Sequence, residues 1–136
     1  MKRDISKIEE TKALAYKIAK HSKPGDIYFL RGDLGTGKTA FTKFFAQALG
    51  ADAKSPSFGI VNLYPGITHM DLYRLETYEE ALNIGIEDIL EDDTIKIIEW
   101  PEILEGEEPD LLLVFSYEGE GRSVTLSGPF LERGAL

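Results

Sequence analysis

One segment of the chain, residues 32–39, combines residue types and spacing that suit phosphate binding. Its sequence satisfies the pattern G-x-x-x-x-G-K-[ST]. The glycines of that pattern allow a tight turn, so that backbone N–H groups converge on phosphate oxygens. The side chain of Lys38 can reach the β- and γ-phosphates of a bound nucleotide, and the Thr39 hydroxyl can ligate Mg²⁺. The residues predicted to contact the nucleotide are Asp33, Leu34, Gly35, Thr36, Gly37, Lys38 and Thr39.

Hydrolysis of a bound nucleotide needs a metal scaffold and an oriented water in addition to this loop. Asp71 and Glu99 each close a β-like run. Because ligands of α/β sheets bind at the carboxyl ends of strands, both carboxylates are expected beside the loop. Either can hold Mg²⁺, directly or through water, while the other orients the attacking water. The alternative for each is a strand-end carboxylate that only pairs with Arg31 or Arg74.

Three further residues lie next to these segments. His69, two positions before Asp71, is predicted to be a structural histidine, and a role near the phosphates is the alternative. Trp100 is predicted to pack against the end of its strand rather than to stack on a ligand. Ser57 occupies a loop where nucleotide-switching proteins place a hydroxyl that senses the γ-phosphate and Mg²⁺. A plain turn at Ser57 is equally compatible with its spacing.

The loop requires a strand before it and a helix after it, and the sequence supplies both. Apolar residues predict a strand over 26–31, and helical spacing predicts a helix over 38–49 that Gly50 ends. A capping box formed by Ser6 and Glu9 predicts that an earlier helix begins there and runs to about residue 21.

The remaining segments predict an α/β fold with a mixed, largely parallel central sheet flanked by helices. Residues 58–64 and 67–71 are expected to form a hairpin around Pro65 and Gly66. Other predicted elements are helices over 77–83 and 86–90, strands over 95–99 and 111–115, an edge strand over 123–126 and a frayed C-terminal tail. Residues 1–136 are expected to form a single small P-loop NTPase domain.

Composition and charge restrict the classes of function. The chain has 136 residues, of which 43% are hydrophobic and 29% charged, so little remains for a second substrate domain. No apolar run approaches the ~18 residues of a membrane span, which predicts no membrane association. Use of a nucleoside triphosphate predicts a cytoplasmic location. A net charge of −9 argues against binding nucleic acid unaided, so a partner is expected to hold any RNA.

Four segments together resemble the TsaE family, the bacterial ATPases of tRNA threonylcarbamoyladenosine biosynthesis. They are residues 32–39, residues 55–58 (Ser-Pro-Ser-Phe), residues 69–75 (His-Met-Asp-Leu-Tyr-Arg-Leu) and residues 98–102 (Ile-Glu-Trp-Pro-Glu). The resemblance spans residues 6 to about 128. It implies ATP hydrolysis that is weak alone and is stimulated by the subunits TsaB and TsaD. Hydrolysis would reset that complex between turnovers, and TsaD would transfer the threonylcarbamoyl group to adenosine 37 of a tRNA held by the complex.

The resemblance also implies roles for individual residues, with ATP and Mg²⁺ as cofactors. Glu99 resembles the metal-site acid of the family, beside the Thr39 hydroxyl, and Asp71 resembles its second essential carboxylate. Glu102 matches a position near the nucleotide. Glu9 and Thr11 lie where the family approaches the base.

Ser57 departs from the family, which usually has threonine at this position of the switch-like segment. Serine keeps the hydroxyl but lacks the methyl group that restricts the rotamer of threonine. The residue is therefore still expected to sense the nucleotide, with a less constrained side chain.

Two other classes of function remain as alternatives from sequence. A small-molecule kinase needs an acceptor pocket and usually a lid that carries arginines. The five arginines, at positions 3, 31, 74, 122 and 133, are scattered, and no insertion resembles a lid. A nucleotide-dependent switch without useful catalysis is the second alternative. The sequence Asn-Lys-x-Asp, which reads guanine, does not occur, so adenine is favoured.

Overall fold

The computed structural model describes residues 1–51 and 59–136, and within these ranges seven strands form one sheet. The strands are β1 (Lys2–Asp4), β2 (Ile27–Arg31), β3 (Val61–Tyr64), β4 (Ile67–Asp71), β5 (Ile95–Glu99), β6 (Leu111–Glu118) and β7 (Gly121–Ser127). The α-helices are α1 (Ile8–Lys20), α2 (Lys38–Ala48), α3 (Tyr78–Asn83) and α4 (Ile86–Glu91). Short 3-10 helices cover Pro101–Ile103 and Pro129–Arg133.

The strand order is β1-β7-β6-β2-β5-β4-β3. The four central strands, β6, β2, β5 and β4, run parallel, and antiparallel strands flank them on both sides. This arrangement confirms the predicted α/β fold with a mixed, largely parallel sheet. Because β2 lies between β5 and β6, the loop that follows it emerges at the middle of the sheet. None of the helices in the described ranges has the length and apolar character needed to cross a membrane.

Both faces of the sheet are covered, which explains why its central strands are apolar throughout. Side chains alternate along β2, so Tyr28 and Leu30 pack on one face and Phe29 packs on the other. The first face buries Phe41 and Phe45 of α2. The opposite face lies under α3, α4 and the first 3-10 helix. The apolar core therefore fixes α2, and with it the loop, against the centre of the sheet.

The start of α1 differs from the predicted capping box. The Ser6 hydroxyl donates to the Asp4 carboxylate at 2.6 Å and is not available to cap the helix. The Glu10 carboxylate, rather than that of Glu9, accepts the Lys7 N–H at 3.0 Å, and the helix begins at Ile8. The helix predicted over 77–83 is present as α3, and the Thr77 hydroxyl caps it by accepting the Glu80 N–H at 3.3 Å.

Two predictions about the ends of the chain were wrong. Strand β7 is not an edge strand, because β1 pairs with it on the outer side. The three residues of β1 are all exposed and show no apolar pattern, so only the pairing reveals them. The C-terminal residues are not frayed, because Phe130 is fully buried and Arg133 forms an ion pair with Asp26.

This ion pair joins residues 107 positions apart in the sequence. The Arg133 guanidinium donates two hydrogen bonds to the Asp26 carboxylate, at 2.7 and 2.8 Å. Burial raises the pKa of Asp26, but hydrogen bonds from Arg133, the Lys23 N–H and the Tyr28 hydroxyl outweigh it and hold that pKa below its usual value. Asp26 is therefore ionised in the folded protein at neutral pH.

Replacing Arg133 with methionine is expected to lower the free energy of unfolding by about 3 kcal/mol, because it leaves a buried carboxylate without its charged partner. The lowered pKa of Asp26 contributes stability above its unfolded-state pKa, and this stability is lost as the pH falls through the folded-state pKa. The acid-dependent loss should be smaller in Arg133→Met. Urea denaturation at neutral and acidic pH measures both effects, with the exposed Arg3→Met as the control. Equal stability of the two variants would contradict the prediction.

Candidate functional site

The loop between β2 and α2 has a backbone that favours glycine, as Gly32 and Gly35 show. Gly32 and Gly35 adopt φ angles of 144° and 81°. A Cβ atom at Gly32 would lie 2.6 Å from the Phe115 carbonyl oxygen, and one at Gly35 would lie 2.6 Å from the Tyr117 hydroxyl. The loop therefore packs closely against β6, and its backbone leads directly into α2. The N-terminus of α2 consequently lies where a phosphate-binding loop requires it.

A pocket of about 420 Å³ opens beside this loop, a size that suits a small-molecule ligand. The loop and the start of α2 form one wall with Gly35, Lys38 and Thr39. The ends of β4 and β5 form another wall with Asp71 and Glu99. The start of α1 also lines the pocket. Four parts of the chain that are distant in sequence therefore meet there: α1, the loop with the start of α2, the end of β4 and the end of β5.

Lys38 is the most unusual group in the pocket. It is 4% exposed, and its Nζ atom is buried with no hydrogen-bond partner among the described residues. Instead, Nζ lies 4.0 Å from the centroid of the Trp100 ring. Burial lowers the pKa of Lys38, and the charges of Glu99 and Asp71 offset this only in part. Because a buried ammonium without an acceptor is costly, the site fits an anion such as a phosphate that would supply one.

The two predicted carboxylates lie side by side at the ends of neighbouring parallel strands, where Asp71 is directly opposite Glu99. Asp71 is half-buried, and its Oδ1 atom accepts the Tyr73 N–H at 3.0 Å. Glu99 is only 7% exposed, and its Oε2 atom lies 2.6 Å from Nε2 of His69. In the described part of the chain neither carboxylate pairs with an arginine. Both side chains instead line the pocket that contains Lys38.

Both ring nitrogens of His69 have hydrogen-bond partners, as predicted for a structural histidine, and the residue also lines the pocket. The alternative role near the phosphates stays a prediction. Side chains two positions apart on a strand share a face, so the proximity of His69 and Asp71 was foreseeable from the spacing. Trp100 packs against Tyr73 at the end of β5, with ring centroids 4.9 Å apart, as predicted. Its contact with Lys38 has no local signal in the sequence.

The other predicted residues divide into two groups. Thr11 of α1 is buried and lines the pocket. Leu34 and Gly37 of the loop also line it. Glu9 and Glu102 are not among the described residues that line the pocket. Glu9 is exposed, and the Glu102 carboxylate lies 3.6 Å from the Arg31 guanidinium.

Within the loop, the Thr36 hydroxyl donates to the Asp33 carbonyl oxygen at 2.6 Å and closes the turn from inside. The Thr36 side chain therefore stabilises the loop, and neither Thr36 nor Asp33 is among the residues that line the pocket. Ser57 lies outside the described residues.

The acidic residues fit a magnesium ion that arrives with a nucleotide. Over residues 1–51 and 59–136, no group of three or more His, Cys, Asp or Glu side chains is arranged to hold a metal. Mg²⁺ in nucleotide sites uses one or two carboxylates and completes its coordination with phosphate oxygens and water. The Thr39 hydroxyl together with Glu99 or Asp71 is a donor set of that kind.

Comparison with known proteins assigns this architecture to a family. The model of the family described as "Threonylcarbamoyl adenosine biosynthesis protein TsaE" matches residues 5–124. A protein from Bacillus subtilis named tRNA threonylcarbamoyladenosine biosynthesis protein TsaE is 38% identical over 128 residues, which cover 88% of this chain and 80% of that protein. A protein of the same name from Borreliella burgdorferi is 44% identical over 113 residues, covering 76% and 82% of the two chains.

A solved structure agrees with the sequence relatives. The crystal structure of Bacillus subtilis YdiB superimposes with a TM-score of 0.77 at 30% sequence identity. The match covers 98% of this chain and 90% of that one. The similarity therefore includes the sheet, the loop and the strand ends that surround the pocket.

Proposed function

The chain belongs to the TsaE family of threonylcarbamoyl adenosine biosynthesis proteins, and from this premise we propose that it binds ATP with Mg²⁺ and hydrolyses it. One observation carries the proposal: among residues 1–51 and 59–136, the buried ammonium group of Lys38 has no hydrogen-bond acceptor, and it lies beside a glycine loop and two carboxylates. A triphosphate fits this site because its oxygens accept hydrogen bonds from Lys38 and from the N-terminus of α2.

The residues of the pocket take distinct roles in this reaction. Lys38 would bind the β- and γ-phosphates, and Thr39 and Glu99 would hold the metal ion. Bound Mg²⁺ supplies electrostatic stabilisation of the charge on the transferred phosphoryl group. Asp71 would orient the attacking water, because it lines the pocket and the Tyr73 N–H holds its Oδ1 atom. Thr11 of α1, which also lines the pocket, would contact the nucleoside.

The output of the reaction is a conformational change passed to partner subunits. The described residues form one sheet, which suits a single domain over residues 1–136. We propose that the chain acts with TsaB and TsaD in modification of tRNA adenosine 37, and that ATP hydrolysis resets their complex between turnovers. The net charge of −9 favours contact with tRNA only through that complex.

Reconstitution tests the proposed function. Purified TsaB and TsaD from the same organism would receive tRNA, ATP and threonylcarbamoyl donor, with or without this chain. We expect repeated rounds of tRNA modification only when the chain and hydrolysable ATP are both present, and about one round otherwise. Repeated rounds without the chain, or with a non-hydrolysable ATP analogue, would reject the resetting role. Absence of ATP hydrolysis in the complete mixture would reject the ATPase assignment.

A further inference from the structure

A row of three buried polar side chains crosses the sheet towards the pocket. Asn62 of β3 lies directly opposite His69 of β4, and His69 reaches Glu99 of β5. Their exposed fractions are 8%, 8% and 7%. Because buried polar groups need hydrogen-bond partners, the interactions within this row determine where each proton lies.

The amide of Asn62 has only one orientation that satisfies its surroundings. Its Nδ2 atom lies 3.1 Å from the Gly59 carbonyl oxygen, which can only accept a hydrogen bond. The amide nitrogen must therefore face Gly59, and its second hydrogen points towards Nδ1 of His69 at 3.4 Å. Reversing the amide would place two acceptor oxygens against each other.

This orientation fixes the tautomer of His69. Since Nδ1 faces a donor, it must be the unprotonated nitrogen of the ring, and the proton resides on Nε2. The Nε2–H group then donates to Oε2 of Glu99 at 2.6 Å. This hydrogen bond occupies one oxygen of the carboxylate and leaves Oε1 for the pocket that Glu99 lines.

We propose that His69 is a positioning residue for Glu99, held by Asn62 with its Nε2–H group directed at the carboxylate. It fixes the rotamer of the carboxylate so that one oxygen is always presented to the metal and phosphate side of the pocket. Partners of this kind behind a metal-binding side chain orient the ligand and are worth about 10- to 100-fold in affinity or activity. The proposal rests on the proposed ATPase function, which it deepens by naming the support of the metal-site acid.

Two substitutions of His69 distinguish a role in hydrogen bonding to Glu99 from a role in filling space. In His69→Gln, the amide nitrogen of glutamine can take the place of Nε2 and donate to Glu99. In His69→Leu, the side chain fills similar space without any donor. We expect His69→Gln to keep kcat for ATP within a few-fold of wild type. We expect His69→Leu to lower kcat by about 10- to 100-fold with little change in KM. Equal losses in both variants, or none in His69→Leu, would overturn the proposal.

A measurement on the nucleotide-free protein makes the test independent of activity. The chain contains two histidines, so ¹⁵N NMR of the imidazole rings gives two patterns, and a His21→Gln variant, which changes a half-buried residue outside the pocket, assigns them. His69 is expected to show a protonated Nε2 and a bare Nδ1, and Asn62→Leu is expected to produce a mixture of tautomers. A proton on Nδ1 in the wild type would overturn the proposal. Wild-type protein with the expected tautomer but without ATP turnover in the reconstituted mixture would instead reject the proposed function.

Discussion

Replacing Lys38 with methionine is expected to weaken ATP binding by at least about 100-fold and to leave the nucleotide-free protein as stable as wild type or more so. The loss of affinity follows from the removal of charge-assisted hydrogen bonds to phosphate, each worth about 1.5–3 kcal/mol. The stability follows from burial, which lowers the pKa of Lys38 and makes its charge unfavourable in the absence of a ligand. Methionine keeps the aliphatic stem and removes only the charged group.

Isothermal calorimetry measures the affinity of this variant, and urea denaturation measures its stability. Trp100 is the only tryptophan of the chain and contacts Nζ of Lys38, so its fluorescence should change when ATP draws the ammonium away in the wild type. Lys20→Met, which removes an exposed charge from α1, is the control and should match the wild type. Binding by Lys38→Met within about threefold of wild type would contradict the assignment. A clear loss of its stability would show that the lysine has a structural role.

The sequence predicted those parts of the site that are determined by neighbouring residues in the chain. The glycines of residues 32–39, the apolar run before them and the helical spacing after them act within about 25 residues, so they can be read directly. Asp71 and Glu99 were also predictable, because each ends a β-like run and parallel strands end at the same edge of a sheet. Their placement directly opposite each other agrees with that reasoning.

The parts that sequence missed depend on contacts between distant segments. Nothing near Arg133 indicates that it pairs with Asp26, 107 positions earlier, and the C-terminal segment therefore looked frayed. Strand β1 likewise has no sequence signal, because its exposed residues form a strand only through pairing with β7. The contact of Lys38 with Trp100 likewise requires the start of α2 to meet the residue that follows β5. Such features follow from the tertiary fold, which a single segment does not encode.

Replacing Glu99 with glutamine is expected to lower ATP turnover by about 10²–10³-fold while ATP binding is kept or strengthened. Glutamine has the same shape, and its carbonyl oxygen can still accept the hydrogen bond from His69, so the buried wall of the pocket should remain intact. The change removes one negative charge near Lys38, which reduces repulsion of the nucleotide. Turnover falls because the amide is a weak ligand for Mg²⁺ and holds the metal and its water less well.

Phosphate release in the presence of the partner subunits measures turnover of the Glu99→Gln variant, and calorimetry measures its affinity for ATP. Glu105→Gln changes an exposed residue of the same type in the following loop and should turn over ATP at the wild-type rate. Wild-type turnover in Glu99→Gln would remove Glu99 from the catalytic site. Loss of ATP binding together with turnover would assign Glu99 to nucleotide binding. Normal binding without turnover is the result that a carboxylate acting on the metal and the water requires, because such a group contributes chiefly to the transition state.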